Sequence, residues 1–81
     1  MAETFAERLL GVFNSGALCL MISVGHRSGL FDTLATMDAA TCGELAAKAG
    51  LNERYVREWL GAMVTAGVVE VDPATEEYTL P

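Results

Sequence analysis

The chain has 81 residues, room for one small domain near the lower limit at which a sequence buries a self-sufficient core. Hydrophobic residues make up 52%, yet the net charge is −6, from 11 acidic and 5 basic side chains. That hydrophobicity excludes a disordered chain, and the acidity argues against an autonomous nucleic-acid binder, which needs a Lys/Arg surplus for phosphate.

Two cysteines, Cys19 and Cys42, are too few for a disulfide scaffold and fit reduced thiols in a cytoplasmic protein. So much apolar material on so small a domain predicts that part of it is buried against something outside the chain.

The first expected helix runs from about Thr4 to Phe13, with Phe5, Leu9, Val12 and Phe13 near one face and Glu3, Glu7 and Arg8 on the other. Asn14-Ser15-Gly16 reads as a boundary. The second, Ser15 to about His26, carries Leu18, Cys19, Leu20, Met21, Ile22 and Val24, apolar on all sides and therefore expected to be covered on all sides. The window Leu9–His26 lacks any Asp, Glu, Lys or Arg and is just long enough for a membrane span. The interruption at Asn14–Gly16 and the absence of a flanking positive cluster argue for a soluble helix and no membrane. Glu3 and Glu7, where a basic segment belongs, argue against a signal peptide. Cys19, Met21 and His26 fall short of a zinc ligand set, so core packing with a polar histidine at the helix end is the expected role.

Gly29 introduces a short third helix around Leu30, Phe31 and Leu34. Thr41 followed by Glu44 is a capping box. Leu45, Ala46 and Ala49 form the inner face of that helix, and Gly50 sits where its end wants a left-handed residue. Asn52 caps the next helix, with Leu51 and Val56 in the two positions of a hydrophobic staple. Val56, Trp59, Leu60, Met63 and Val64 repeat at helical spacing, and Gly67 ends the run. Two short helices joined by Gly50-Leu51-Asn52 make a helix-turn-helix.

After Gly67 the period becomes alternating: Val69 and Val71 on one side, Glu70 and Asp72 on the other. Asp72-Pro73-Ala74-Thr75 reads as a turn, and Glu76–Leu80 returns with Tyr78 and Leu80 on one side. The expected fold is mainly α: a winged helix-turn-helix over residues 37–81 with a two-stranded β-wing, preceded by N-terminal helices over 1–36 that serve dimer or interdomain packing.

Charge bears on function. In the second helix of the motif Glu53, Arg54, Arg57 and Glu58 sum to zero, and in the wing Glu70, Asp72, Glu76 and Glu77 sum to −4. Phosphates would meet no net attraction, so the arginines are expected to form a solvated face with their acidic neighbours, and DNA is not the expected partner. Catalysis is not expected of this chain either. A nucleophile needs a base, and His26 is the sole histidine. Cys42 at a helix start has the setting of an activated thiol, but a small helix-compatible residue is the simpler role. No Gly-x-Gly occurs among the eight glycines, so no dinucleotide or nucleoside cradle is present in the sequence.

The run Gly29-Leu30-Phe31-Asp32, then Thr41-x-x-Glu44-Leu45-Ala46, then Gly50-Leu51-Asn52-Glu53-Arg54-Tyr55-Val56-Arg57-Glu58-Trp59-Leu60, then Gly67-Val68-Val69, resembles the N-terminal winged-helix domain of bacterial class I S-adenosylmethionine-dependent methyltransferases. More loosely, it is similar to the dimerisation domain of small-molecule O-methyltransferases. The likeness covers about Ala17 to Pro81, and Tyr55–Leu60 is its most specific part. The resemblance implies a homodimer through the leading helices, packed over a C-terminal Rossmann-like domain that holds S-adenosylmethionine, and helping to enclose a small methyl acceptor. No catalytic, cofactor-binding or metal residue carries over to this chain. The chain thus reads as a fragment or isolated domain, its end at Pro81 suiting a domain boundary.

Leu18, Met21 and Ile22 are the expected dimer or interdomain contacts, and Phe13, Met21 and His26 the expected substrate-facing side chains. The competing readings are a free-standing winged-helix transcriptional regulator and a plain interaction domain.

Overall fold

The computed structural model describes residues 2–81. Its order is α1 (Phe5–Arg27), α2 (Leu30–Ala35), α3 (Cys42–Ala49), α4 (Glu53–Thr65), β1 (Glu70–Asp72) and β2 (Glu77–Thr79). This is a winged helix with a long leading helix, the fold class expected from the sequence.

α1 corrects one expectation. It runs unbroken through Asn14-Ser15-Gly16, where the sequence suggested a boundary. Asn, Ser and Gly each cost up to about 1 kcal/mol in a helix interior relative to Ala. A break there would instead leave a turn of unpaired amides and carbonyls on each side. With no proline, and Gly16 absent from the left-handed glycines, the helix continues. Thr4 caps its start, its Oγ1 accepting from the Glu7 amide at 3.1 Å. Gly29, at φ 78, ends the chain direction of α1 and opens α2.

The helix-turn-helix forms as its signals predict. Glu44 N donates to Thr41 Oγ1 at 3.2 Å while Thr41 N donates to Glu44 Oε1 at 2.9 Å, closing the capping box. Gly50 (φ 70) and Gly67 (φ 76) end α3 and α4 alike. In each, the amide after the glycine reaches back to an earlier carbonyl (Leu51 N to Ala46 O, Val68 N to Met63 O, both 2.9 Å), the Schellman arrangement that only a left-handed residue allows without strain. Asn52 Oδ1 accepts from the Arg54 and Tyr55 amides and starts α4.

The core is one cluster in which Leu30, Leu34, Leu45, Val56, Trp59, Leu60, Met63 and Val69 are fully buried. Trp59 is its centre. Its ring meets Phe31 edge-on at 5.0 Å, and its Nε1–H donates to the Met21 carbonyl at 2.9 Å, tying α1 to α4. The wing pairs Val71 with Tyr78, and Tyr78 also exchanges two backbone hydrogen bonds with Ala40 (2.7 and 3.1 Å), which fastens the wing to the segment before α3. No buried side-chain nitrogen or oxygen lacks a partner among the described residues.

Candidate functional site

A winged helix has two surfaces with which to act: the outer face of α4 with the wing, and the elements added to it. On the first, both arginines are taken up by acids of their own helix. Arg57 Nη2 lies 3.1 Å from Glu53 Oε1 and Arg54 Nε 3.9 Å from Glu58 Oε1, each one turn apart. The Cys42 sulfur, ionised at the high pH where an arginine would lose its proton, and then the Glu53 carboxylate hold the Arg57 guanidinium above its ordinary value. This matches the solvated, self-neutralised face read from the sequence.

Between α3, α4 and the wing lies a cleft of about 700 Å³ bordered by Thr41, Cys42, Glu53, Arg57 and Tyr78. Cys42 is buried and its thiol donates to the Glu53 carbonyl at 3.5 Å. The cleft is lined by no histidine, so the base that nucleophilic chemistry at Cys42 would need is not beside it. Among the described residues no group of three or more His, Cys, Asp or Glu is placed to hold a metal ion.

The second surface is α1. From Phe5 to Ala17 every residue is exposed, so the first half of the helix stands clear of the core as an arm. Phe5, Leu10, Val12, Phe13 and Leu20 are 62–70% exposed. Phe5, Leu9, Phe13 and Leu20 fall on one stripe by their helical spacing. The second half docks by one side only: Gly25 is buried, while Leu18, Met21 and Val24 pack against the core. Within this chain the helix is thus covered on one side, not all round as its composition suggested. By length and composition alone α1 could cross a membrane, with a mean hydropathy of 1.5 over its most apolar window. Its continuity removes one sequence argument against a span, but its docking through Met21 and Gly25 onto Trp59 builds the second half into the domain.

Where the arm leaves α4 there is an apolar groove of about 650 Å³, with Asn14, Ala17, Leu18 and Met21 on one wall and Gly61, Ala62, Thr65 and Ala66 on the other. Of the side chains singled out in the sequence, Leu18 and Met21 meet in it. Ile22, 39% exposed, lies outside it, Phe13 belongs to the exposed stripe of the arm, and His26 is exposed in the last turn of α1. The α4 wall was not read from the sequence. Its signal was the run of small residues at Gly61, Ala62, Thr65 and Ala66, visible only once α1 is known to cross that face.

The family of Rv2258c-like winged HTH domains matches residues 16–81. The chain belongs to this family. The match begins inside α1, beside the groove, and takes in the docked half of α1 with the whole helix-turn-helix and wing. In this Rv2258c-like domain, therefore, the docked half of α1 and the winged helix are matched as one unit. A comparison with curated proteins finds no match.

Proposed function

We propose that the chain is the non-catalytic dimerisation and substrate-covering module of an S-adenosylmethionine-dependent methyltransferase acting on a small molecule in the cytoplasm. The observation that carries this reading is the exposed apolar side of α1, where Phe5, Leu10, Val12, Phe13 and Leu20 are 62–70% exposed. Exposed apolar patches of this kind mark interaction surfaces. The resemblance over Tyr55–Leu60 and the flanking motifs supplies the methyltransferase part. In this reading the homodimer forms through α1, with Leu18, Met21 and Ile22 near its interface. Phe13, Met21 and His26 face the acceptor bound against a C-terminal Rossmann-like domain, where S-adenosylmethionine is held.

A transcriptional regulator would use the same fold differently, through cations on α4 and the wing. Two measurements separate them. Fluorescence anisotropy with duplex DNA at physiological ionic strength should show no tight, salt-sensitive binding; a steep loss of strong affinity with salt would overturn the module reading. The reading frame beyond Pro81 should encode a strand followed by a glycine-rich loop within about one domain's length. A stop codon directly after Pro81 would remove the methyltransferase assignment.

A further inference from the structure

We draw no further inference here: the strongest candidate, the apolar groove between α1 and α4 with the exposed arm beside it, belongs to the surface already read as the dimer contact, and nothing in the structure shows what else covers it.

Discussion

Gly25 shows how one missing side chain sets the packing of a domain. A Cβ built at Gly25 would lie 2.5 Å from Trp59 Cζ2 and 2.6 Å from Phe31 Cε2, so α1 reaches the core only because nothing is there. Gly11, on the same helix, faces open space. Alanine at position 11 should stabilise the helix by up to about 1 kcal/mol. Alanine at position 25 should instead destabilise, the overpacking cost of about 1–3 kcal/mol outweighing the helix gain. Chemical denaturation of the two variants checks the opposite signs. Trp59→Ala should cost roughly 3–5 kcal/mol as a large core deletion, enough to unfold a domain of this size. Trp59→Phe, which keeps most of the ring but loses the bond to the Met21 carbonyl, should lie between. Glu44 provides a pH test. The Thr41 backbone and side-chain hydrogen bonds lower its carboxyl from the ordinary glutamate value. The capping box therefore contributes fully above that ordinary range, and its contribution is lost as pH falls through the lowered folded value. Glu44→Gln keeps an acceptor for the Thr41 amide and should flatten that part of the acid limb in a thermal-melt series.

At the scale of the element, the helices and the wing are set by short-range chemistry. Capping boxes, Schellman glycines and the Asn52 cap join residues at most a turn or so apart, so α3, α4 and the turn between them were legible in the sequence. The wing was legible too, through its alternation. Its turn is tighter than the composition suggests: Asp72 Oδ1 accepts from Ala74 N at 2.9 Å, and Glu76 N donates to Asp72 O at 2.7 Å. Glu76 follows in the left-handed region at φ 57, a conformation costly for a residue with a Cβ. Glu76→Gly should therefore be neutral or stabilising by up to about 1 kcal/mol in thermal unfolding, unlike most glycine substitutions. α1 was misjudged because local propensity is weak. Three poor helix formers in a row suggest an end, yet none is a proline or adopts a left-handed conformation, so nothing interrupts the hydrogen-bond ladder.

For the whole molecule, the question posed by the composition was where so much apolar surface goes. Part of the answer is the core around Trp59. The rest stays on α1, which with its arm gives the domain a longest dimension of 44 Å against a shortest of 20 Å. The substitutions suited to testing the role of that surface avoid the core. Met21 both lines the groove and packs on the core, so Met21→Asp would confuse dimer loss with unfolding. Leu20→Asp, on the exposed stripe, should leave the monomer folded and shift the oligomer seen by light scattering.

The sequence by itself determined the helix-turn-helix, its caps, the wing and the neutral outer face of α4, because each arises from residues close along the chain. Ion pairs one turn apart and glycine stops do not depend on what packs elsewhere. Only the tertiary structure decided that Gly25 marks the closest approach of α1 to the core, that Ala40 fastens the wing, and that Leu18 and Met21 share a groove with Gly61 and Ala62. Those facts depend on which helix faces meet. An apolar residue announces that it will be buried, but not against which neighbour or in which copy of the chain.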